Sequence, residues 1–416
     1  MENIISTNSP NLTDIKMDNG ESAISDKIKR AYELYESNRI NDTIALIESD
    51  GKMMANSHCQ LLLGNCYYQI QNEQKAITHW EKAIEISPLE YTAYINIGNE
   101  LYKKDNINEA ILNWQLACSI MPENPTVNLN LANAYNRLNN RIKATRFFEK
   151  YLKYEKNTNC TQFLKVKQTF GNLTAKVDFY AKKVEEYKLQ RDLKTIAALY
   201  LKMVATYANL PSIYANIAEI FYFDKNYEKA LEFYLLVYLY YPYTTKTLIE
   251  IANLYYLIGQ KSYAYVYYKR ALDLLPEGTS FYNKTKSKIS SLSTVLNEPE
   301  IIEMHLNRAK EAEKINAYEE AIDEYENYLI LSESENPEIQ QLIDKYKIFA
   351  NPEPFVINVL YSQINDLMNR KKLNACIDVC DRIMALGEGR SKEVIYAMKC
   401  KTECRRILIA REQFGV

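Results

Sequence analysis

The chain has 416 residues, with 51 Lys and Arg against 53 Asp and Glu and a formal net charge of −2, which gives it no overall preference for nucleic acid or anionic membranes. Its 47% hydrophobic and 25% charged residues are typical of a folded protein and exclude wholesale disorder. Only 10 Gly and 11 Pro are present, and this scarcity of turn residues disfavours an all-β fold and favours helices joined by short loops.

The N-terminal residues carry no recognisable targeting signal. Residues 1–20 contain neither the basic region nor the apolar core of a secretion signal, and we expect residues 1–22 to form a disordered tail. No apolar run approaches the ~20 residues that are needed to span a bilayer. Eight cysteines without an export signal are typical of a reducing compartment. We therefore expect a cytoplasmic location, with a periplasmic or envelope-associated location left open.

Internal repeats with a step of 34 residues begin near residue 57. Two small residues, an aromatic residue and a proline recur in a fixed order. The first small residue is Gly64, Gly98, Ala132, Ala218 or Ala252, and the second is Ala76, Ala110, Ala144, Ala230 or Ala264. The aromatic residue is Trp80, Trp114, Phe148, Tyr234 or Tyr268, and the proline is Pro88, Pro122, Pro242 or Pro276. A fixed step that carries several residue types predicts a repeated two-helix unit.

Each residue type in this pattern has a physical reason. Two small residues, one in each helix, allow the helices to approach to the short end of the usual range of about 8–10 Å. The aromatic residue fills the gap towards the next unit, and the proline ends the second helix. The pattern resembles the tetratricopeptide repeat, and the resemblance extends over about residues 23–390.

The resemblance implies an all-α fold, a right-handed superhelical solenoid of antiparallel helix pairs, segmented by irregular joints. The 34-residue step is interrupted after Ala132 and after Ala252 by 18 and 23 additional residues, which predict an added helix or longer helices. We expect an N-terminal array over 23–158, a central array over 159–296, divergent units over 297–390 and a C-terminal capping helix over 391–416.

No motif of a catalytic or phosphate-binding site is present in the sequence. The three histidines, His58, His79 and His305, have no acid and nucleophile beside them. Because the repeats account for most of the chain, no remaining segment is long enough for a catalytic domain. We therefore expect a protein that is not an enzyme and that needs no cofactor.

Four cysteines near the C-terminus form a metal-like pattern. Cys376 and Cys380 share one helix face, Cys400 and Cys404 share another, and the two pairs are expected to face each other in a helical hairpin. Four thiolates suit Zn²⁺. Free cysteine is also among the most buried residue types, and Cys376 and Cys380 occupy core positions of a repeat. Core packing is the preferred interpretation, so no metal site is predicted, and metal or redox chemistry is the alternative.

Charge is unevenly distributed along the chain. Residues 141–194 hold 14 Lys and Arg against 6 Asp and Glu, residues 295–344 hold 3 against 14, and residues 368–411 hold 11 against 5. Most of these charges are expected to be solvated helix faces. Opposed blocks could also steer partners or support self-association. The acids interspersed in the basic block make nucleic acid an unlikely partner.

Asparagines recur in the first helices, where their poor helix propensity calls for an explanation. They are Asn65, Asn99, Asn133 and Asn253 after the small residue, and Asn96, Asn130 and Asn216 two residues before it. In the resembled family this face lines a concave groove, where amides grip the main chain of an extended peptide, since an amide both donates and accepts. A composition rich in Asn is the alternative explanation. Tyr68, Tyr102, Lys103 and Arg137 are expected to add specificity through stacking and charge.

The sequence departs from the chaperone-binding type of this family, which clamps a C-terminal carboxylate with basic residues. Leu61, Ile95 and Leu129 occupy those positions, so chaperone tails are not expected partners. We predict a non-catalytic scaffold that binds an extended peptide or a helix of another protein in its groove, mainly between residues 57 and 158. Replacing Asn99 and Asn133 by Ala is then expected to weaken binding and to leave the fold intact. The alternatives are a structural or assembly subunit of a larger bacterial machine, such as a flagellar or secretion apparatus, and a regulatory module of an enzyme.

Overall fold

The computed structural model describes residues 22–241, 244–294, 298–350, 352–387 and 391–414, so the predicted tail lies almost wholly outside the described residues. Within these ranges the chain forms 22 α-helices and no β-strand, which confirms the all-α class. The helices are α1 (Ser22–Glu36), α2 (Ile40–Glu48), α3 (Gly51–Met54), α4 (Ser57–Gln69), α5 (Glu73–Ile86), α6 (Tyr91–Lys103), α7 (Ile107–Ile120), α8 (Pro125–Arg137), α9 (Arg141–Tyr154), α10 (Thr161–Gln190), α11 (Leu193–Thr206), α12 (Pro211–Phe223), α13 (Tyr227–Tyr240), α14 (Thr245–Leu257), α15 (Lys261–Asp273), α16 (Ser280–Leu292), α17 (Pro299–Lys314), α18 (Tyr318–Ser332), α19 (Pro337–Ala350), α20 (Glu353–Asn369), α21 (Leu373–Leu386) and α22 (Lys392–Phe414).

The helices belong to two compact units. The first unit contains the described residues up to Ala134 together with those from Ile348 onward, and the second contains Tyr135–Lys347. Helix α8 therefore begins in the first unit and ends in the second. The four segments predicted from the sequence have other limits, and they stay predictions.

Consecutive helices pack in pairs within each unit, as the repeat pattern predicts. In the first unit α4 packs against α5 and α6 against α7, and α21 packs against both α20 and α22. In the second unit the pairs are α10 with α11, α12 with α13, α14 with α15, and α17 with α18. The helix-pair architecture is thereby confirmed.

The turn inside a helix pair repeats with the same period as the sequence. A residue with left-handed backbone, whose φ lies between 57° and 82°, occupies this turn at steps of 34 residues. These residues are Gln71, Asp105 and Asn139, and then Arg191, Lys225 and Gly259. Gly, Asn and Asp are the residue types that most readily adopt left-handed backbone. Gln71, Arg191 and Lys225 are of other types, so their residue type does not indicate a turn.

The small and aromatic positions of one repeat meet directly. A Cβ atom on Gly64 would lie 2.3 Å from both Cδ1 and Nε1 of Trp80. A Cβ atom on Gly98 would lie 2.6 Å from Nε1 of Trp114. Both tryptophans are almost completely buried, so the two glycines create the space that the indole rings fill.

The additional residues in the second unit lengthen one helix and add another. The first insertion extends α10 to 30 residues, more than twice the length of its partner α11. The second insertion forms the separate helix α16, which packs against α15. Both outcomes are among those that the sequence predicts.

The C-terminal helices of the first unit pack back onto its second repeat. Helix α20 packs against α7, and Nη2 of Arg382 in α21 donates to the main-chain carbonyl of Ile120 at 3.0 Å. Burial lowers the pKa of Arg382 from its ordinary value. Among the described helices, none combines the length and the apolar character that crossing a membrane requires.

Candidate protein-binding surface

The first predicted groove asparagine belongs to a buried hydrogen-bond network. Asn65 Oδ1 accepts from Nε1 of Trp80 at 3.0 Å and from Nδ2 of Asn96 in the next repeat at 2.9 Å. Asn65 thus satisfies the indole N–H that is buried beside Gly64 and connects two adjacent first helices. A buried indole N–H needs such a partner, because an unsatisfied donor costs about 1–3 kcal/mol.

The same arrangement recurs one repeat further along the chain. Asn99 Oδ1 accepts from Nε1 of Trp114 at 3.2 Å and from Nδ2 of Asn130 at 3.0 Å. We call Asn65, Asn96, Asn99 and Asn130 the asparagine ladder. Its members are only 2–7% exposed, so in this structure they hold the repeats together from within.

For the asparagines that directly follow the small residue, the side chain fifteen positions later can supply an internal hydrogen-bond donor. In the second unit, Asn253 Oδ1 accepts from the hydroxyl of Tyr268 at 2.5 Å. Asn133 is followed at the same distance by Phe148, which has no polar hydrogen to donate. Asn133 is half-buried and makes no hydrogen bond with its side chain among the described residues. It is therefore a first-helix amide with its hydrogen-bonding groups available.

Buried polar atoms without hydrogen-bond partners mark one face of α6. Thr92 Oγ1, Asn96 Oδ1 and Glu100 Oε2 are inaccessible to solvent and lack a hydrogen bond within the described part of the chain. Four-residue spacing places them along a single helix face. Glu100 is ion-paired at 3.6 Å with both Lys103 and Lys104. Burial, and then the nearby charge of Glu73, raises the pKa of Glu100 above its ordinary value.

Tyr68 and Lys103 form an accessible pair at the C-terminal ends of α4 and α6. The Lys103 ammonium donates to the Tyr68 hydroxyl and lies 4.6 Å from the centroid of the Tyr68 ring. Burial lowers the pKa of Lys103, although its side chain keeps 40% of its exposure. The predicted specificity residues 68 and 103 thus lie together, one repeat apart.

The other predicted residues have different surroundings. Tyr102 is buried, with its ring centroid 5.4 Å from that of Trp114. Arg137, Asn216 and Asn253 belong to the second unit. Arg137 is exposed, and Asn216 is half-buried and donates to the hydroxyl of Tyr200 at 3.5 Å.

Cys376, Cys380 and Cys404 are buried in the helix packing near the C-terminus. Burial raises the pKa of Cys376 and of Cys380 to about 11 and that of Cys404 to about 12. The Cys404 thiol contacts Sδ of Met368 at 3.1 Å, and Cys400 is half-buried. In the described ranges no group of three or more His, Cys, Asp and Glu side chains is arranged to hold a metal ion. Core packing is the role that this geometry supports.

A buried hydrogen bond between a histidine and a glutamate connects two helices of the second unit. His305 in α17 is fully buried, and its Nδ1 lies 2.5 Å from Oε2 of Glu324 in α18. Burial disfavours the ionised carboxylate, but hydrogen bonds from His305, Asn327 and Tyr263 outweigh that effect and lower the pKa of Glu324. The pair lies inside the helix packing, which indicates a structural role.

Two family models match the repeats of the first unit. A model described as a tetratricopeptide repeat matches residues 57–88, and one described as a TPR repeat matches residues 98–139. The chain contains tetratricopeptide repeats over these residues. Tetratricopeptide repeats generally serve as protein–protein interaction scaffolds, and their fold is typically non-catalytic. The matched repeats support a protein–protein interaction scaffold as the general role of this chain.

Solved structures of other such proteins are similar at low sequence identity. The TPR domain of P58(IPK) is 13% identical with a TM-score of 0.38, covering 85% of this chain and 98% of that one. Pseudomonas aeruginosa pilF is 14% identical with a TM-score of 0.28, covering 64% and 96%. The TPR2AB domain of yeast Sti1, in a complex with pHSP90, is 18% identical with a TM-score of 0.25, covering 58% and 100%. These TM-scores are too low to transfer a partner or an arrangement. A comparison with curated protein sequences gives no match.

Proposed function

We propose that the first unit binds an extended segment of another protein along its first helices, with Asn133 as the amide that contacts the partner main chain. The observation that carries this proposal is the difference between Asn133 and the asparagine ladder. Asn65 and Asn99 occupy the same repeat position, but their amide oxygens are taken by indole N–H groups. Asn133 is half-buried and makes no side-chain hydrogen bond within the described residues.

A main chain suits this amide better than a particular side chain does. The Asn133 side chain can accept from a peptide N–H through Oδ1 and donate to a peptide carbonyl through Nδ2. It therefore recognises an extended backbone independently of the partner's sequence. This is the mode of recognition in which main-chain hydrogen bonds supply affinity and separate side chains supply specificity.

Tyr68 and Lys103 provide a second contact within the same unit. Lys103 is an exposed cation that is partly desolvated on the Tyr68 ring, and its pKa is lowered accordingly. A carboxylate on the partner would restore the solvation that the ammonium has lost. We therefore expect the bound segment to carry an acidic residue beside the part that contacts α6.

The experiment begins by identifying the partner through a photo-crosslinking amino acid placed at position 68 of the full chain. Affinity for that partner is then measured by calorimetry for the wild type, Asn133→Ala and Lys103→Ala. Asn133→Ala should lose one net hydrogen bond of about 1 kcal/mol, so its dissociation constant for the partner should be roughly fivefold higher than that of the wild type. Asn136→Ala is the matched control, because Asn136 is exposed in the same helix and three residues further along.

The result that would contradict the proposal is equal affinity for Asn133→Ala and the Asn136→Ala control. If the chain also copurified in a fixed stoichiometric assembly whose stability neither variant changes, the assembly-subunit alternative would replace peptide binding. Unfolding curves for each variant show whether the fold is intact, which separates a lost contact from a lost structure.

A further inference from the structure

We propose that the second unit has its own binding groove, which takes an acidic protein segment with large apolar side chains. The groove lies where the start of α9, the middle of α10 and the end of α11 meet, and its volume is about 640 Å³. That volume is within the range of about 300–1,000 Å³ found for binding sites. We call it the basic groove, defined by Arg141, Leu173, Lys176, Phe179, Tyr180 and Thr206.

The charge of the basic groove has one sign. Two of the residues that line it are cations and none is a carboxylate. Arg141 donates one N–H to the main-chain carbonyl of Ala205 near the end of α11, which fixes the guanidinium at the rim. A guanidinium has five N–H donors, so further donors can bind a carboxylate of the partner. Lys176 is exposed and makes no ion pair with any described residue.

The apolar part of the basic groove consists of the exposed Phe179 and the half-buried Tyr180. Phe179 is 55% exposed, and its ring centroid lies 5.8 Å from that of Tyr180. The Lys183 ammonium lies 4.8 Å from the Phe179 ring centroid, so a cation is held next to the aromatic surface. An exposed aromatic ring with flanking cations has the composition of interface hot spots, where Tyr, Trp and Arg predominate.

The length of α10 explains why this surface is open. The buried residues of this 30-residue helix are Phe163, Val166 and Val184, which lie towards its two ends. In its middle, Val177 and Tyr180 are only half-buried against the cluster that α11 forms, and Phe179 is exposed. Large apolar side chains between these ends therefore remain accessible. A partner helix or strand that lies across the middle of α10 would cover them.

An acidic protein segment fits this surface better than single-stranded nucleic acid. A nucleic-acid groove needs a track of cations with successive aromatic platforms on which bases stack. The basic groove has one strongly exposed ring, and Lys183 lies over it. The cations Arg141 and Lys176 can bind carboxylates of the partner, and the apolar side chains of the basic groove can contact a leucine or phenylalanine between those carboxylates.

The test uses fluorescence anisotropy with the full chain and a short labelled peptide of glutamates that includes two leucines and one phenylalanine. One control peptide has serines in place of the apolar residues, and another has lysines in place of the glutamates. The groove variant is Lys176→Glu with Phe179→Ala. The matched control is Lys284→Glu with Phe281→Ala, a pair of exposed residues with the same spacing in α16 of the same unit.

We expect the acidic apolar peptide to bind and the groove variant to weaken its binding by about tenfold or more, as for loss of a hot spot. The Lys284 and Phe281 control should bind as the wild type does. Binding should weaken as salt rises from about 50 to about 300 mM, because ions screen exposed charges. Asn133→Ala should leave this binding unchanged, so failure here is distinguishable from failure of the function proposed for the first unit.

Three results would overturn the proposal. They are no binding of the acidic apolar peptide, equal binding of the serine peptide, and equal weakening by the groove variant and its control. A labelled uridine-rich RNA is tested in parallel. If it bound more tightly than the peptide, and if the groove variant abolished that binding, the surface would be assigned to nucleic acid instead.

Discussion

Replacing Gly64 by Ala tests whether the helix pairs are held by the close approach of an indole ring to a glycine. Gly64 lies within α4 and its backbone is helical, so alanine is compatible with the local conformation. The added Cβ would lie 2.3 Å from Cδ1 and Nε1 of Trp80, a contact that no folded protein tolerates without movement. Trp80 is 1% exposed and bound to Asn65, so its ring cannot shift freely.

The expected loss of stability is worked out from three effects. Inserting a methyl group into a packed core costs about 1–3 kcal/mol. Moving the ring also leaves the indole N–H of Trp80 unsatisfied, which costs about 1–3 kcal/mol. The better helix propensity of alanine relative to glycine stabilises the fold by about 1 kcal/mol. The middle of each range gives a net loss of about 3 kcal/mol in the free energy of unfolding of the first unit.

Tryptophan fluorescence during urea unfolding reports on this unit specifically. The chain has two tryptophans, Trp80 and Trp114, and both belong to the first unit. Gly51→Ala is the control in the same unit, since a Cβ atom there meets no atom within 4 Å. A second comparison is Gly171→Ala in α10 of the second unit, where an added Cβ also meets no atom within 4 Å. Because alanine favours a helix more than glycine does, this change should raise the free energy of unfolding by about 0.5–1 kcal/mol, as followed by circular dichroism. If Gly64→Ala and Gly51→Ala unfold at the same urea concentration, the proposed close packing is wrong.

Three further substitutions probe polar groups. Asn99→Ala leaves Nδ2 of Asn130 without this acceptor and leaves Nε1 of Trp114 with its longer hydrogen bond to the Ile95 carbonyl, so it should lower the stability of the first unit by about 2 kcal/mol. Asn133→Ala should change that stability by less than ~0.5 kcal/mol, and fluorescence-detected urea unfolding compares the two variants. Burial raises the pKa of Glu100, so its ionised form disfavours folding above the ordinary pKa of 4.5, and Glu100→Gln should raise the urea midpoint at pH 7. A lower midpoint would contradict that burial effect. The pKa of Glu324 is lower in the folded protein than its ordinary value of 4.5. The ionised Glu324 therefore stabilises the fold above pH 4.5, and this stabilisation is lost as the pH falls through the folded-state pKa. Glu324→Gln should therefore cost about 2 kcal/mol at pH 7, and the difference from wild type in circular dichroism melts should vanish in acid.

The repeat architecture could be predicted from the sequence because it depends on short-range packing that recurs at a constant step. Gly98 and Trp114 meet within one helix pair, so the same residue types appear in each unit wherever the packing is the same. The turn residues Gln71 and Lys225 could not be predicted, since their left-handed backbone is imposed by the helices on either side. Both residues are ordinary in type and carry no turn preference of their own.

The role of the repeated asparagines could be predicted only in part from the sequence. Their repeat position was evident, and the expectation that Asn99 could be replaced without loss of stability followed from placing it on an open face. In the structure Asn99 accepts from Trp114 and Asn130, which gives it a structural role that the sequence interpretation missed. The signal that could have revealed it is the spacing of fifteen residues between each asparagine and an aromatic residue with an N–H or O–H donor.

The burial of α4 depends on helices outside its own repeat. Residues Cys59 to Tyr67 of α4 are buried without interruption. An isolated repeat would leave one face of this helix open, but α1, α2 and α3 pack against α4 in addition to its partner α5. The resemblance places residues 23–56 in the repeat array as a degenerate opening unit, but it does not predict how closely these helices cover α4.

The volume at the small position and the hydrogen bond of the neighbouring asparagine are therefore linked. Trp80 and Trp114 fit because glycine stands sixteen residues before each of them, and each indole N–H then donates to the amide oxygen of the asparagine fifteen residues before it. In the third repeat the small residue is Ala132, whose methyl group takes the space that an indole would need, and Phe148 stands in place of tryptophan. Alanine at the small position does not by itself remove the donor, because Asn253 follows Ala252 and still accepts from the hydroxyl of Tyr268. What distinguishes Asn133 from Asn65, Asn99 and Asn253 is Phe148, an aromatic residue that fills the same repeat position without an N–H or O–H group to donate.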